Sequence, residues 1–440
     1  MRILMAEMRK IGFRFMLMAA ILIFTGMDAF AQDWPQWRGP QRDGVLKKTD
    51  LNLDWTAKKP PLTWTFKQAG SGYAAPVIVG TTLYCQGAGD GKDFAFALDT
   101  QTGNLKWKQD LGDEYKDPGN RGGGPRGSVT VDGDKLYLIR GGGQIHCLSA
   151  TDGKMIWQKD FTSDFGGKLM SSPNWGVSES PLIDGNLVIC TPGSDNGTMA
   201  ALDKNTGAVV WRSKEWTDPC GFSSAIVAEV GGIRQYIQQA GKGVAGISAK
   251  DGKLLWKFDY PVTGRGPSAV IPTPVFNDNM VYVTNGYNCG CMGIRLTKEG
   301  ENIKAEIVYA NNRDISSQHG GVVLINGYLY GHSERPSDSW VCQNFKTGEI
   351  VWSQKTQDAG VSKGSVFGVG DHLLLMEENS GTITVIAASP AGWKAFGKIE
   401  IPERSNMPSQ DRMVWTHLVV ANDKLYLRDH NLLFCFDLKK

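Results

Sequence analysis

The sequence predicts an all-β protein, an eight-bladed β-propeller built from four-stranded antiparallel blades. Three observations predict this fold: a repeated signature, two β-rich runs before each copy of it, and the near absence of helical periodicity beyond residue 31. The signature reads Ala-Leu-Asp-x-x-Thr-Gly-x-x-x-Trp, and its two most regular copies span residues 97–107 and 201–211. Copies spaced roughly 45–55 residues apart fall in the range of propeller blades.

Each repeat contains the turns that a four-stranded blade needs. Asp-Gly or Asn-Gly pairs separate the two β-rich runs, and such pairs favour tight hairpins because both central residues adopt positive φ. The Thr-Gly of the signature predicts a further hairpin, and the Trp closes the fourth strand. Less regular copies end at Trp157, Trp256, Trp352 and Phe396.

Eight inner strands are predicted, but the last repeat is incomplete. The chain stops at Lys440, where a Thr-Gly turn and a fourth strand should follow. Residues 62–66 form an apolar, Trp-bearing run with no blade before it. Pairing this run with the C-terminal strands would close the ring and leave no open sheet edge. The repeat that ends near Tyr309 is the weakest, and without it the count would be seven.

The N-terminus has the features of a signal peptide, which we assign to residues 1–31. Arg9, Lys10 and Arg14 precede an apolar run, and Ala29-Phe30-Ala31 has the form of a cleavage site, with the cut after Ala31. Translation from either Met1 or Met8 fits this pattern. No cysteine precedes Cys85, so we expect no lipid anchor at the cut. The expected location is periplasmic or secreted.

The rest of the chain divides into residues 32–61, an N-terminal extension expected to pack on the propeller, and residues 62–440, the propeller itself. Residues 1–31 carry four basic and two acidic residues, so their removal brings the net charge from +2 to 0. A neutral chain without a basic cluster gives no electrostatic basis for binding nucleic acid or a membrane surface. We expect no transmembrane segment in the mature protein, and a monomer.

The eight cysteines are predicted to be mostly packing residues. Cys147, Cys342 and Cys435 occupy the same place in separate repeats, so they cannot easily meet, and we expect small buried hydrophobes there. Cys289 and Cys291, separated by one glycine, are the one close pair. Loop packing and a strained or metal-linked role both stay open for that pair.

The repeat resembles that of the pyrroloquinoline-quinone (PQQ) β-propeller superfamily. That superfamily holds quinoprotein alcohol dehydrogenases and also the non-enzymatic propeller subunit of the outer-membrane protein assembly machinery. The opening segment 33–40 resembles the N-terminus of exported members of uncharacterised function, which carries no activity with it. The resemblance implies that one Trp of each blade docks against the next blade. The residues concerned are Trp64, Trp107, Trp157, Trp211, Trp256 and Trp352.

A candidate site follows from propeller geometry, because the inner strands line the central channel and ligands collect at one face. The residues at the start of the inner strands are Tyr73, Arg126, Glu179, Ser223, Thr273, His319, Lys363 and His417. With their neighbours they give the candidate ligand-binding set, which is Arg121, Arg126, Trp175, Glu179, Gln318, His319, Lys363, Trp415 and His417. Charges of both signs beside aromatic rings indicate a polar pocket. Simple hydration of the channel is the alternative.

Quinone chemistry is only weakly indicated. The resemblance implies an adjacent Cys-Cys pair, a calcium ion held by Glu and Asn, and an Asp base. No Cys-Cys pair occurs, although Glu179 could hold the metal and Trp175 could stack on the quinone. The sequence has no haem motif, no histidine pair at metal-ligand spacing and no serine-hydrolase elbow. We predict no metal site, and PQQ with calcium is kept as an alternative.

Three functions remain open at this point. The first is an exported binding or scaffold module that holds a protein, a peptide or a small polar ligand at the channel mouth. The second is a quinoprotein-type dehydrogenase, and the third is another enzyme with its site in the same funnel. Because catalytic markers are missing, the sequence favours the first function and assigns no catalytic residue.

Overall fold

The computed structural model describes residues 32–48, 50–116, 123–169, 175–260, 269–287, 289–311, 315–335, 337–407 and 412–440. Within them, eight sheets follow one another around a ring, each with four antiparallel strands, and one of the eight has an additional parallel strand. The predicted eight-bladed β-propeller is therefore confirmed, and the seven-bladed alternative is wrong. Among the described residues, no helix is long and apolar enough to cross a membrane.

The strands follow the repeats. Two strands precede the first blade: β1 (Val45–Leu46) and β2 (Leu62–Phe66). Blade 1 contains β3 (Val77–Val79), β4 (Thr82–Gly89), β5 (Lys92–Asp99) and β6 (Leu105–Asp113). Blade 2 contains β7 (Thr130–Asp132), β8 (Lys135–Ile139), β9 (Gln144–Ser149) and β10 (Met155–Asp160). Blade 3 contains β11 (Leu182–Asp184), β12 (Leu187–Cys190), β13 (Ala200–Asp203) and β14 (Val209–Arg212). Blade 4 contains β15 (Ile226–Val230), β16 (Ile233–Ala240), β17 (Gly243–Ser248) and β18 (Leu254–Asp259).

The second half repeats this plan. Blade 5 contains β19 (Val275–Asn277), β20 (Met280–Asn285), β21 (Gly290–Glu299) and β22 (Asn302–Asn311). Blade 6 contains β23 (Val322–Ile325), β24 (Tyr328–Ser333), β25 (Ser339–Asn344) and β26 (Ile350–Lys355), after which comes the four-residue helix α1 (Thr356–Ala359). Blade 7 contains β27 (Gly364–Val369), β28 (His372–Glu377), β29 (Ile383–Ala387) and β30 (Ala395–Ile399). Blade 8 contains β31 (Val419–Ala421), β32 (Lys424–Asp429) and β33 (Leu432–Asp437).

The Asp and Thr of the signature build its turn. In blade 1, the Asp99 carboxylate accepts hydrogen bonds from the backbone N–H and the hydroxyl of Thr102, at 2.9 and 3.0 Å. Gly103 follows at φ +72°, a left-handed conformation that glycine adopts without steric cost. The signature residues therefore specify the tight turn between the third and fourth strands.

The Trp of the signature packs on the glycine of the next turn around the ring. The indole N–H of Trp64 donates to the backbone carbonyl of Thr100 at 3.0 Å, and its ring covers Gly103. Trp352 donates in the same way to the carbonyl of Ser389. Equivalent ring-on-glycine contacts join Trp107 to Gly153, Trp157 to Gly207 and Trp211 to Gly252.

Trp256 departs from the pattern that the resemblance implied. Its indole N–H donates to the Gln235 side chain of its own blade at 2.7 Å. The reason lies in blade 5, where β21 and β22 are ten residues long and no Thr-Gly turn stands at the usual place. Tyr309 occupies the Trp position of blade 5, and its hydroxyl donates to the Phe345 carbonyl of blade 6 at 2.8 Å.

The ring closes through the N-terminal strand, as the sequence predicts. Strand β2 pairs antiparallel with β33, with Trp64 opposite Cys435 and Phe66 opposite Leu433. Blade 8 therefore has four strands, of which three come from the C-terminus. Strand β2 thus supplies the outer strand that the C-terminal repeat lacks.

The extension that precedes β2 is also part of the propeller. Strand β1 pairs in parallel with β27, which gives blade 7 a fifth strand on its inner side. Trp34 is buried against Phe367, with ring centroids 4.8 Å apart, and bridges to Ile78 of β3. The sequence did not predict this additional strand.

All eight cysteines are buried thiols. Cys147, Cys342 and Cys435 have no exposed surface, in agreement with their predicted packing role. Cys289 and Cys291 are buried too, and the Gln343 side chain lies 3.7 Å from the Cys291 sulfur. Burial raises the pKa of the Cys289 thiol, which keeps it in the unreactive protonated form.

Candidate functional site

One face of the ring collects side chains from two places in each blade. The inner strand begins at this face and its antiparallel neighbour ends there, because the two are joined by a tight turn at the opposite face. Residues that precede an inner strand, such as His319 and Lys363, therefore meet residues that follow a second strand, such as Glu378. We call this end of the channel the mouth.

The mouth contains a cavity of about 370 Å³. This volume lies toward the lower end of the range for small-molecule sites. Its lining mixes aromatic, charged and hydroxyl side chains from around the ring, and the principal ones are Trp37, Tyr73, Arg126, Trp175, Phe222, Thr273, Gln318, His319, Lys363, Glu378, Trp415 and His417.

The N-terminal segment 33–46, which we call the plug, enters the channel and forms the floor of the cavity. Trp37 lines the cavity, and its indole N–H donates to the Thr273 hydroxyl of blade 5 at 2.8 Å. The same ring meets His417 of blade 8 edge to face, with centroids 4.6 Å apart. Below Trp37, the backbone N–H of Val131 in β7 donates to the carbonyl of Pro35.

Two buried arginines fix the tip of the plug to opposite parts of the ring. Arg38 donates to the carbonyl of Val322 in blade 6 at 2.6 Å, and Arg42 donates to the carbonyl of Ser180, which precedes blade 3, at 2.8 Å. Burial lowers the pKa of each guanidinium to about 10, so both stay charged at neutral pH. Backbone carbonyl oxygens of the blades accept hydrogen bonds from both guanidinium groups, and these bonds offset the cost of burying the two charges.

Lys363 organises a polar arc on blades 6 and 7. Its ammonium donates to the Gln318 amide oxygen at 2.7 Å and lies 3.2 Å from a Glu378 carboxylate oxygen. Glu334 is a second carboxylate, 3.6 Å away. Glu378 also accepts the indole N–H of Trp415 at 2.9 Å. The arc thus presents donors and acceptors that already hold one another in place.

Two histidines complete this side of the mouth. The Nε2 atom of His417 lies 2.8 Å from the backbone carbonyl of His319, while the Nε2 atom of His319 has no hydrogen-bond partner. Burial lowers the pKa of His417 to about 4 and also lowers that of His319. Both rings are therefore neutral at pH 7 and can donate from one nitrogen and accept at the other.

Aromatic rings form two further walls. Tyr73 packs on Trp415 at a centroid distance of 5.2 Å, and the Arg126 guanidinium lies over the Tyr73 ring at 5.0 Å. Trp175 packs on Phe222 at 5.5 Å, near the starts of blades 3 and 4. The first wall stands at blades 8 and 1, so the two walls are separated around the ring.

The structure brings together most, but not all, of the sequence-derived candidates. Seven of them line the cavity: Arg126, Trp175, Gln318, His319, Lys363, Trp415 and His417. Arg121 lies outside the described residues. Ser223 and Glu179 do not line the cavity, although they precede inner strands as the others do.

Glu179 is buried behind the cavity wall. Its carboxylate accepts hydrogen bonds from the backbone N–H and the hydroxyl of Thr191, and Gln238 donates to it at 3.2 Å. The neighbours Ser178 and Ser180 line the cavity instead. Side chains alternate in direction along extended backbone, so Glu179 between them points away. Burial raises the pKa of the Glu179 carboxyl to about 7.

Sequence reasoning missed the contributions of Trp37, Phe222 and Glu378. Glu378 carried a usable signal, because it follows the second strand of blade 7 and must lie at the same face as Lys363. Phe222 lies two residues before Ser224, close to the start of blade 4. Trp37 carried no comparable signal, since nothing local in the sequence places residue 37 inside the channel.

The described residues do not fit a PQQ–calcium pair at the predicted position. Both oxygens of Glu179 are already hydrogen-bonded outside the cavity. Cys289 and Cys291 are absent from the lining, so they are not available beside a ligand there. Within the described ranges, no group of three or more His, Cys, Asp or Glu side chains is arranged to hold a metal ion.

Comparison with known proteins agrees with the repeat pattern. A family model of PQQ-type repeats, described as outer membrane protein assembly factor BamB, matches residues 92–354. The chain belongs to this PQQ-repeat β-propeller family. Because the match spans more than half of the chain and includes several complete blades, it places the protein in the superfamily that the signature resembles.

Individual relatives are distant. BamB of Yersinia pestis is 25% identical over 378 residues, which cover 74% of this chain and 88% of that protein. Tetrathionate hydrolase of Acidithiobacillus ferrooxidans is 27% identical over 246 residues, which are 51% of this chain but only 44% of the hydrolase.

Solved structures show the same fold at low identity. BamB from Moraxella catarrhalis superposes with a TM-score of 0.58 at 14% identity, covering 86% of this chain and 98% of that one. A quinohemoprotein alcohol dehydrogenase from Comamonas testosteroni gives 0.61 at 13% identity, covering 93% and 81%. At these identities the likeness establishes the architecture and not the activity.

Proposed function

We propose that this protein is a binding propeller that holds a small polar ligand in the cavity at the mouth of its channel. One observation carries the proposal: Trp37 and Arg38 of the plug line a cavity of about 370 Å³ at the mouth, and hydrogen bonds from Trp37, Arg38 and Arg42 hold the plug to separate parts of the ring. Convergent polar groups within aromatic walls are typical of small-molecule sites.

The arrangement favours binding rather than catalysis with a quinone. The arc around Lys363 is held by hydrogen bonds within the protein, so it is prearranged for a ligand. Such prearrangement lowers the entropy lost on binding. Glu179, the residue that the sequence offered for calcium, faces away from this site.

A scaffold role toward another protein is the second candidate. It is supported by the family match and by relatives that are named for outer membrane protein assembly. The same names, together with the signal-like residues 1–31, support export to the periplasm or beyond. The cavity does not bear on this role, because a protein partner would bind at the outer faces of the ring.

The test is a thermal-shift screen of the purified protein against small polar metabolites, followed by calorimetry on each compound that raises the melting temperature. A ligand at a hundredfold excess over its dissociation constant stabilises the folded state by about 2.7 kcal/mol. We expect at least one such compound, with binding weakened by Glu378→Gln. Failure of every compound, or binding that Glu378→Gln and Trp175→Ala leave unchanged, would refute the proposal.

A further inference from the structure

We infer that the ligand of the cavity is a small neutral carbohydrate, a hydroxylated ring of one or two sugar units. This inference rests on the proposed function and names its ligand class. It follows from three features of the lining: the aromatic walls, the mixed donors and acceptors of the polar arc, and the pairing of charge within that arc.

Among the described residues, six aromatic side chains line the cavity. The Trp175–Phe222 pair and the Tyr73–Trp415 pair form its walls, and Trp37 forms its floor. An aromatic face carries partial negative charge, and the polarised C–H groups on the face of a sugar ring pack well against it. Rings on separate walls can cover both faces of one sugar or the faces of two linked sugars.

The polar arc suits hydroxyl groups, each of which donates one hydrogen bond and accepts others. Lys363 donates, Glu378 accepts, and the Gln318 amide does both. His319 adds a neutral ring to the lining of the cavity.

The charges of the arc are paired with one another, which argues against an ionic ligand beside Lys363; the lining also contains the cations Arg38 and Arg126. Two carboxylates, Glu378 and Glu334, lie 3.2 and 3.6 Å from the Lys363 ammonium. An anion placed against Lys363 would meet both carboxylates, and a cation placed against Glu378 would meet the ammonium. A neutral polyhydroxylated ligand bonds to both partners without displacing either of them.

The size of the cavity also fits a small carbohydrate. The cavity of about 370 Å³ has Trp37 as a fixed floor, which excludes a long chain threading through the ring. The Arg126 guanidinium, at 5.0 Å over the Tyr73 ring, belongs to the same wall of the cavity.

The test uses glucose, galactose, N-acetylglucosamine, maltose and cellobiose as probes, with citrate and choline as an anionic and a cationic comparison. Saturation-transfer NMR on the purified protein identifies binders, and quenching of tryptophan fluorescence gives affinities. We expect at least one sugar to bind and both ions to fail. Lys363→Met should lower the affinity for that sugar at least tenfold, because a hydrogen bond from a charged group is lost.

Lys346→Met is the matched control. Lys346 also pairs with a carboxylate, Asp278 at 2.9 Å, but both residues are exposed in turns at the face opposite the mouth, so sugar affinity should not change. If the Lys363→Met protein does not fold, Trp175→Ala tests the same cavity. That substitution should lower the affinity for the sugar about tenfold.

The outcomes separate the two proposals. If citrate or choline binds in a way that the cavity variants weaken while every sugar fails, the carbohydrate inference is overturned and the binding function stands. If sugars bind but Lys363→Met and Trp175→Ala leave their affinity unchanged, the inference is also overturned. If neither these probes nor the metabolite screen gives a cavity ligand, both proposals fall.

Discussion

Trp37 and His417 meet edge to face with ring centroids 4.6 Å apart, although 380 residues of chain separate them. The contact joins the plug to the start of blade 8 and seals the floor of the cavity. It makes the N-terminal segment a structural part of the candidate site.

Replacing Trp37 should therefore destabilise the fold as well as open the cavity. We expect Trp37→Ala to lower the free energy of unfolding by about 3 kcal/mol, since a large, partly buried ring and a hydrogen bond to Thr273 are lost. Urea denaturation measures this change. Lys47→Ala, at an exposed position just beyond the plug, should lie within about 0.5 kcal/mol of wild type. A Trp37→Ala protein as stable as that control would show that the plug is not needed for the fold.

The packing of Trp64 on Gly103 predicts that Gly→Ala substitutions at Gly103 and Gly80 differ in their effect on stability, although the two glycines have similar backbone conformations. Gly103 has φ +72° and a Cβ there would lie 2.7 Å from the Trp64 ring, whereas Gly80 has φ +56° with nothing within 4 Å. Both Gly→Ala variants incur the left-handed penalty of about 1 kcal/mol. Gly103→Ala should lose about 2 kcal/mol more, because the indole must move. Equal melting temperatures for the two variants would contradict this account of Trp docking.

Burial of Glu179 predicts a pH dependence of stability. Its folded pKa of about 7 lies above the ordinary value of 4.5, so the folded state holds the proton more tightly than the unfolded state does. Stability from this group is thus present at low pH and is lost as pH rises from about 4.5 through 7. Between pH 5 and 8, wild type should lose about 2.5 kcal/mol relative to Glu179→Gln, which has no such proton.

Urea unfolding of both proteins at pH 5 and pH 8 checks this prediction. The two proteins share every other titratable group, so the effect of those groups cancels in the difference. A constant difference across this pH range would show that Glu179 titrates normally.

The geometry around Glu179 also predicts the response to PQQ and calcium. Adding both should leave the melting temperature unchanged within error, because the carboxylate that would hold the metal is hydrogen-bonded outside the cavity. Glu179→Ala, compared under the same additions, should respond no differently from wild type. A shift in wild type that Glu179→Ala abolishes would support the quinoprotein alternative instead.

Much of the fold could be read from the sequence, because each blade carries its own turn and strand signals. The ring closure by residues 62–66 was also predictable, since an unpaired Trp-bearing strand matched a missing one. Within the site, the rule of inner-strand starts placed Lys363 and His319 correctly at the mouth. It placed Glu179 wrongly, because an offset of one residue along an extended strand reverses the direction of the side chain.

The plug could not be predicted in the same way. Trp34, Trp37, Arg38 and Arg42 bond to or pack on segments between residues 78 and 417, and no local pattern encodes contacts over such distances. Glu378 was missed for a different reason, since only one of the two strand ends at the mouth was considered.

The pairing of β2 with β33 has a consequence for biogenesis. During synthesis, residues 62–66 emerge long before the strand that pairs with them, so this blade can only be completed after β33 is delivered. Long-range pairings of this kind form late and slowly. A chain cut short before β33 would leave β2 unpaired and an exposed edge on blade 8, which makes it a substrate for proteolysis. Completion of blade 8 thus depends on two strands that are made at opposite stages of synthesis.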